Sequence, residues 1–178
     1  EIADLFEASK WLVAQGYHES KIGLYGRSHG GYATMRGLTF PPGTNGHDKR
    51  FEFAFGLADA GFSDIISFYE NCNIPDWVVL EAGDPAKEKD KLIDRSPITH
   101  VDKLQAPLFM SHGENDSRVP VSGSRRMNEA CIAAKKACTY VEFPGQGHRV
   151  NGLANEQALY QARFRFLEQV VANTKAKE

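Results

Sequence analysis

The sequence predicts an α/β fold, in which a mainly parallel sheet is covered by helices on both faces. Four short apolar runs alternate along the chain with segments that carry the 3.6-residue period of helices. Strands that alternate with helices are typical of parallel sheets joined by right-handed crossovers. With 178 residues, of which 42% are hydrophobic, the chain can form one domain with its own core.

The chain begins with a predicted helix and a predicted strand. Apolar side chains recur close to a 3.6-residue period over residues 1–15, and Gly16 follows as a helix-stop signal. No Ser, Thr, Asp or Asn stands ahead of this helix as an N-cap, so we expect the chain to have been cut from a longer polypeptide. The apolar run at residues 21–25 predicts the first strand, and residues 31–36 predict a helix directly after it.

The remaining elements continue the alternation. The predicted strands are residues 51–58, 106–111 and 139–143, and the predicted helices are residues 63–77, 88–95, 121–136 and 155–171. The segment from Phe40 to Gly46 has the Pro, Gly and Asn residues of a turn. Aromatic side chains cluster in and just before the helix at residues 63–77, where they fit either the core or the wall of a substrate pocket. They are Phe62, Phe68, Tyr69 and Trp77.

A G-x-S-x-G motif lies between the first strand and its helix, at Gly26, Ser28 and Gly30. This pattern is typical of a nucleophile elbow, a strained turn that lifts the serine hydroxyl above the carboxyl end of the sheet and requires small neighbours. The backbone N–H of His29 is then expected to face a developing oxyanion, with a second donor needed for full effect. The alternative is a glycine-rich turn whose serine faces solvent.

Two further side chains complete a candidate catalytic triad. Asp116 follows the third predicted strand and His148 follows the fourth, so both lie with Ser28 in loops at the carboxyl end of a parallel sheet. Their order along the chain is that of α/β-hydrolases. An imidazole suits proton transfer from serine near neutral pH, and a carboxylate fixes its tautomer. His112 and His29 are weaker candidates for the base, because a turn role suffices for the first and the ring of the second is expected to point away.

Four segments carry a resemblance to a known family: GRSHGGY (residues 26–32), SPITHVDK (96–103), HGENDSRVP (112–120) and FPGQGH (143–148). Together they resemble the catalytic domain of the prolyl oligopeptidase family of serine peptidases, most closely its acylaminoacyl-peptidase and dipeptidyl-peptidase-like branches. The resemblance implies that residues 1–178 belong to an α/β-hydrolase catalytic domain and hold the latter half of its sheet. It also implies that the early strands, the tyrosine that supplies the second oxyanion donor and the amino-terminal β-propeller are absent.

The resemblance also implies which residues bind substrate. Arg118 and Val119 match the loop that borders the pocket for the residue before the scissile bond. Tyr32 matches the aromatic residue that follows the paired glycines, and Phe62 belongs to the aromatic cluster that suits the same pocket. Residues 149–150 are Arg and Val, whereas the family usually has Gly and an apolar or aromatic residue after its histidine, and this difference is expected to alter the leaving-group side.

Composition and charge exclude several other classes of function. A formal net charge of −2, from 21 Lys and Arg against 23 Asp and Glu, provides no field that attracts nucleic acid or an anionic membrane. No apolar run approaches the roughly 18 residues that would span a bilayer. The three cysteines are widely spaced, which favours free thiols in a reducing compartment such as the cytoplasm. The six histidines form no metal-ligand pattern, so we expect no metal and no cofactor.

We therefore expect a serine hydrolase that cleaves short peptides through an acyl-enzyme, since the family's propeller restricts access. A carboxylesterase or thioesterase on the same fold stays open, because the triad does not choose between an ester and an amide. A non-catalytic module that folds only with a partner also stays open. Besides a peptide substrate, we expect either a second copy or the rest of a longer chain as a partner, because nothing here can pair with the outer edge of the strand at residues 21–25.

Overall fold

A parallel sheet of four strands lies at the centre of the structure, a computed structural model that describes residues 1–44 and 50–175. The strands are Leu24–Arg27 (β1), Gly56–Asp59 (β2), Leu108–Gly113 (β3) and Cys138–Phe143 (β4), and they pair in the order β1-β2-β3-β4. All the pairings are parallel, and the first residues of the four strands are in register. The carboxyl ends of the strands therefore meet at one edge of the sheet, as predicted.

Helices cover both faces of this sheet, which confirms the predicted architecture. In chain order they are Ile2–Ala14 (α1), His29–Thr39 (α2), Ile65–Asn71 (α3), Pro75–Glu81 (α4), Pro85–Arg95 (α5), Ser122–Ala133 (α6) and Leu153–Lys175 (α7). Short 3₁₀ turns occur at Glu19–Lys21 and Pro97–Lys103. Of the predicted turn after α2, Asn45 and Gly46 lie outside the described residues. None of the helices described here is long and apolar enough to cross a membrane.

Each face of the sheet has its own hydrophobic core, because successive residues of a strand point to opposite sides. Leu108 and Met110 of β3 pack with side chains of α1, α2 and α6, where Met127 is fully buried. Phe109 of the same strand faces α7, and its ring lies 5.6 Å from the ring of Phe166. β3 is therefore buried on both faces, which explains why its sequence reads as a continuous apolar run.

The helix predicted over residues 63–77 is in fact two helices, α3 and α4. Asp64 caps α3, because its side chain accepts a hydrogen bond from the backbone N–H of Ser67 at 3.0 Å. Pro75 begins α4, where its fixed φ and missing N–H suit the first helical position. The same residue would interrupt the middle of a longer helix. The single-helix prediction was wrong because it followed the apolar pattern across this proline.

The first two strands are shorter than the apolar runs that predict them. β1 begins at Leu24, and it extends past the predicted end to Arg27. β2 covers only the end of its predicted run, while Phe51 and Phe53 are buried in the core ahead of it. Phe6 of α1 packs beside these rings, with its centroid 6.0 Å from that of Phe53. Burial by helices, rather than strand pairing, accounts for the apolar residues at the start of that run.

The outer edge of β1 is open in the part of the chain that the structure describes. β1 pairs with β2 alone, so it is the edge strand of the described sheet. Tyr25 of β1 is 63% exposed, and the guanidinium carbon of Arg163 lies 5.1 Å from its ring centroid and 5.2 Å from that of Tyr160. An open edge is a site at which another strand can pair. That a further strand or chain covers this edge stays a prediction.

An ion pair joins α6 to β4. Arg125 donates from Nε to Glu142 Oε2 at 2.9 Å and from Nη2 to Oε1 at 2.5 Å, and the Tyr140 hydroxyl donates to Oε2 at 2.6 Å. The hydrogen bonds from Arg125 are the main cause that lowers the pKa of Glu142 to about 2, against an opposing effect of partial burial. The carboxylate is therefore held in its charged form well below the ordinary pH of its titration.

We expect Glu142→Gln to weaken the pH dependence of the free energy of unfolding at acid pH. Because the pKa of Glu142 is lowered from 4.5 to about 2 in the folded protein, its contribution to the free energy of unfolding is present above about pH 4.5 and is lost as the pH falls towards 2. Urea denaturation of wild type and variant should show a difference in this free energy that shrinks over the same interval. A difference that does not change with pH would contradict this assignment.

Candidate active site

Ser28 occupies the turn between β1 and α2. Its backbone dihedrals are φ 60° and ψ −120°, a conformation that residues other than glycine rarely adopt. Two backbone hydrogen bonds hold it: the Ser28 N–H donates to Asp59 O at 2.8 Å, and Ser28 O accepts from the Tyr32 N–H at 3.0 Å. The structure thus has the strand, the strained turn and the helix that the sequence motif predicts.

Two glycines allow the backbone segments around this turn to approach closely. A Cβ at Gly26 would overlap the backbone of Gly30, and a Cβ at Gly31 would lie 2.8 Å from Asp59 O. A Cβ at Gly30 itself would meet no atom within 4 Å. The requirement for a small residue at Gly30 was therefore predicted wrongly, and the crowded positions are Gly26 and Gly31, where α2 meets β1 and β2.

Asp116 and His148 are in direct contact. Asp116 Oδ2 accepts a hydrogen bond from His148 Nδ1 at 2.7 Å. Since a carboxylate can only accept, Nδ1 carries the proton and Nε2 is the nitrogen free to accept one. Asp116 Oδ1 accepts from the backbone N–H groups of Arg118 and Val119, each at 2.9 Å. The Asp116 side chain is fully buried, whereas 23% of the His148 side chain is exposed.

The loops that carry these two residues are packed against each other. The Asn115 N–H donates to Gln146 O at 2.8 Å. A Cβ at Gly113 would overlap Gly147 O, so the end of β3 and the exit loop of β4 are in close backbone contact. The neighbouring parallel strands β3 and β4 thus bring a carboxylate and an imidazole that are 32 residues apart along the chain into contact at their carboxyl ends.

Opposing effects act on the charge of Asp116. Burial alone would raise the pKa of this carboxyl, but the hydrogen bonds from His112, from the Val119 backbone and from His148 outweigh it and hold the pKa below its ordinary value. The carboxylate therefore remains charged near neutral pH although no water reaches it. A buried charge of this kind is stable only while its donors stay in place.

Ser28 lies at the same edge of the sheet as this pair. Arg27, which precedes it, and Asp59, to which it is hydrogen-bonded, line a cleft of about 170 Å³ together with His148. Within the described residues the Ser28 hydroxyl makes no hydrogen bond, so its contact with His148 stays a prediction. Catalytic hydrogen bonds are commonly long before a substrate binds.

His29 is the first residue of α2, so its backbone N–H has no acceptor within the helix. Its ring is stacked with the rings of Tyr32 and Phe62, at centroid distances of 5.7 and 6.3 Å. Nε2 of the same ring lies 3.1 Å from Glu1 Oε1. The ring therefore points away from the His148 loop, as predicted, and leaves the backbone N–H as the part of His29 that can serve an oxyanion.

The aromatic side chains form a continuous stack beside the turn. Phe62 lies 4.6 Å from Tyr32 and 4.3 Å from Phe68 between ring centroids, and these rings line a cleft of about 80 Å³ with Trp77. Phe62 and Phe68 are buried, so the cluster is both core and the wall of a cleft. Burial raises the pKa of Tyr32 to about 12, and its hydroxyl donates to Arg95 O at 3.1 Å.

Arg118 and Val119, on the loop after Asp116, have different surroundings. Val119 is 1% exposed and belongs to the same hydrophobic cluster as Phe62. Arg118 is exposed, and the structure connects it to Asp116 through its backbone N–H. Val119 therefore packs in the hydrophobic cluster behind the aromatic cleft without lining the cleft itself, and the side chain of Arg118 has no contact there among the described residues.

The sequence analysis underestimated His112. This residue of β3 is 1% exposed rather than part of a turn, and its Nε2 lies 3.2 Å from Asp116 Oδ2. The signal that could have found it is its position four residues before Asp116 at the end of a buried strand. Polar side chains at such strand ends are often drawn into a site.

A second network was not predicted at all. Asp59 accepts from the Ser111 hydroxyl at 2.6 Å and from Arg163 Nη2, which connects β2 to β3 and α7. Asp59 and Arg163 are 104 residues apart, and no local pattern links them. Among residues 1–44 and 50–175 there is no group of three or more His, Cys, Asp or Glu placed to hold a metal ion, and Cys72, Cys131 and Cys138 are free thiols.

Comparison with known proteins finds relatives along nearly the whole chain. The sequence model of the Prolyl oligopeptidase family matches residues 1–174. Dipeptidyl aminopeptidase BIII of Pseudoxanthomonas mexicana is 33% identical over 175 residues, which are 93% of this chain and 24% of that protein. The Mycobacterium tuberculosis protein named Probable carboxylic ester hydrolase LipM is 27% identical over 98% of this chain and 44% of its own length.

Solved structures share the fold. The puromycin-hydrolyzing peptidase of Mycobacterium tuberculosis superposes with a TM-score of 0.75 and 25% sequence identity, over 83% of this chain and 22% of that one. The predicted α/β-hydrolase fold is therefore confirmed. The chain spans about a quarter of the length of the dipeptidyl aminopeptidase and less than half of that of LipM.

We expect Gly26→Ala and Gly30→Ala to have opposite effects on stability. The methyl group at position 26 meets backbone and should lower the free energy of unfolding by about 1–3 kcal/mol. The methyl group at position 30 enters open space in a helix and should raise it by up to about 1 kcal/mol. Urea denaturation followed by circular dichroism measures both, and equal losses would contradict the described packing of the turn.

Proposed function

The chain belongs to the prolyl oligopeptidase family, and we propose on that basis that it supplies the catalytic serine, aspartate and histidine of a peptidase that cleaves short peptides. The observation that carries this is the 2.7 Å hydrogen bond from His148 to Asp116, at the same sheet edge as the strained turn of Ser28. Reactive groups of α/β enzymes gather at this edge.

The reaction proceeds by acyl transfer. Ser28 Oγ attacks the peptide carbonyl carbon while His148 Nε2 takes its proton, and Asp116 stabilises the imidazolium through the hydrogen bond to Nδ1. The imidazolium then gives the proton to the leaving amine, and an ester joins Ser28 to the acyl part of the substrate. Water, deprotonated by His148, attacks this ester and releases the acid, which restores the serine hydroxyl.

The backbone N–H of His29 donates to the oxyanion that forms in both steps. It is supported in this role by its place at the start of α2, where an unpaired N–H and the helix dipole favour negative charge. A second donor is needed for full effect, since loss of one oxyanion donor costs about 10²–10³ in rate. We assign this second donor to a part of the protein outside the described residues.

The residue before the scissile bond binds in the aromatic cleft. Tyr32 and Phe62 line this cleft, and Val119 packs in the same hydrophobic cluster. Rings and a buried valine favour an apolar side chain, because its burial releases water from apolar surface. Arg118 is exposed on the adjoining loop, from which it can contact the substrate backbone.

A strand from elsewhere in the protein, or from a second copy, covers the outer edge of β1. The open edge and the exposed ring of Tyr25 support this, because an unpaired edge beside an exposed aromatic ring favours association. The nucleophile turn follows β1 directly, so a pairing partner also steadies the site. No nucleic acid, membrane or cofactor takes part in this scheme.

A carboxylic ester hydrolase is the second candidate. It is favoured by the 27% identity to LipM over 98% of this chain. The chemistry of the three side chains serves an ester as well as an amide, since both pass through a tetrahedral intermediate. The third candidate is a non-catalytic module on the same fold.

We expect a fluorophosphonate probe to label the full-length protein at Ser28. Ser28→Ala should abolish labelling and lower kcat by about 10⁶-fold, and Asp116→Asn should lower kcat by about 10⁴-fold because the tautomer of His148 is no longer fixed. Mass spectrometry of the labelled peptide and kinetic assays provide the measurements. Ser20→Ala, at an exposed serine whose hydroxyl pairs with His18 rather than with any residue of the site, is the control and should label normally. A full-length protein that takes no label would instead indicate the non-catalytic module.

We expect aminoacyl anilides with an apolar residue before the scissile bond to be hydrolysed. Phe62→Ala should raise KM for these anilides by about tenfold, because one large apolar contact is worth about 1–3 kcal/mol. Values of kcat/KM for anilides and for simple esters of short acids make the comparison. Hydrolysis of the esters alone would favour the carboxylic ester hydrolase.

A further inference from the structure

Asp116 is shared by two imidazoles. His112 Nε2 lies 3.2 Å from Asp116 Oδ2 and 2.8 Å from Val119 O, while its Nδ1 lies 2.8 Å from the Ser124 hydroxyl. Oδ2 is the same oxygen that accepts from His148 at 2.7 Å. His112 is 1% exposed, so all of its polar contacts are with protein.

The neighbours of His112 determine where its proton lies. A carboxylate oxygen and a backbone carbonyl both surround Nε2, and both can only accept, so Nε2 must carry a proton. Nδ1 of the neutral ring then accepts from the Ser124 hydroxyl, which is able to donate. Ser124 thus favours the tautomer in which the Nε2–H of His112 is shared between Val119 O at 2.8 Å and Asp116 Oδ2 at 3.2 Å.

The carboxylate of Asp116 is therefore held by four donors. Two backbone N–H groups bind Oδ1, and the two imidazoles bind Oδ2. Both histidines lie at the cleft, but the side chain of His112 is fully buried, whereas 23% of the His148 side chain is exposed. With the others in place, the carboxylate cannot rotate about its terminal bond without breaking a buried hydrogen bond.

We propose that His112 is a positioning residue for the proton transfer at His148. This proposal rests on the proposed function, and it adds His112 to the groups that hold the Asp116 carboxylate. His112 fixes the direction of Asp116 Oδ2, and it takes part of the negative charge that would otherwise act on His148 alone. Both effects reach the substrate only through Asp116 and His148, because His112 lies beneath them in β3.

Other charged groups also face this cluster, and the variants must leave them unchanged. β4 contributes Glu142, which lies opposite His112 in the sheet and is paired with Arg125 of α6. β2 contributes Asp59, which is paired with Arg163 of α7. Further charged groups are Glu156 of α7 and Arg27 at the end of β1, which line the cleft, and Arg118 on the loop.

The experiment compares His112→Leu with His112→Gln in the full-length protein. Leu fills a similar volume without a donor, whereas the Gln amide can place an N–H near the position of Nε2. We expect Leu to lower kcat by about 10- to 100-fold with KM unchanged, and Gln to restore most of the loss. Thr39→Val is the matched control, because it removes another buried hydrogen bond, to Met35 O at the far end of α2, and should leave kinetics unchanged.

The pH profile distinguishes positioning from a loss of structure. Without the His112 donor, more of the Asp116 charge stabilises the imidazolium of His148, so the base is freed only at higher pH. The acid limb of kcat/KM should therefore move up by about 0.5–1 pH unit in His112→Leu and stay in place in His112→Gln. An acid limb that does not move in His112→Leu would overturn the proposal.

Two further measurements keep the outcome decisive. If His112→Leu does not fold, His112→Gln and His112→Asn make the same comparison. Both side chains carry an amide donor, but only that of Gln is long enough to reach Asp116 Oδ2. The NMR titration midpoint of the His148 ring should rise with the acid limb, and this reading needs no turnover. If the wild-type protein shows no activity and takes no label, the proposed function is wrong. The NMR midpoints of His148 in wild type and variants would still test whether His112 is coupled to His148.

Discussion

The buried carboxylate of Asp116 is the interaction on which the rest of the site depends. It accepts hydrogen bonds from two backbone N–H groups of its own loop after β3, from His112 in β3 and from His148 in the loop after β4. A charge without access to water is tolerable only because every one of these donors is present. The same constraint that satisfies the carboxylate therefore also fixes the direction of the His148 ring.

The strained turn at Ser28 depends in a similar way on the strand beside it. Asp59 accepts the Ser28 N–H through its backbone carbonyl, and its side chain binds Ser111 and Arg163. The end of β2 thus connects the turn to β3 and to α7. An unfavourable φ of 60° persists because surrounding elements determine it from several directions.

Much of the fold could be predicted from the sequence, because the alternation of apolar runs and helical periods is a local property. The sequence analysis failed where tertiary packing overrode that pattern. Phe51 and Phe53 look like strand residues but are buried by helices, and Pro75 divides a helix that the apolar period appeared to join. Gly30 was read as crowded from its motif, although the close approach is at Gly26 and Gly31.

The sequence by itself determined the chemistry available to this protein: a serine in a strand-to-helix turn, and an aspartate and a histidine in the exit loops of later strands. These are properties of residue type and order along the chain. Only the tertiary structure decided that Asp116 receives two imidazoles, and that Asp59 meets Arg163 across 104 residues. Hydrogen bonds have a range of about 3 Å, so such contacts depend on the register of the strands and the packing of the loops, which no local pattern in the sequence encodes.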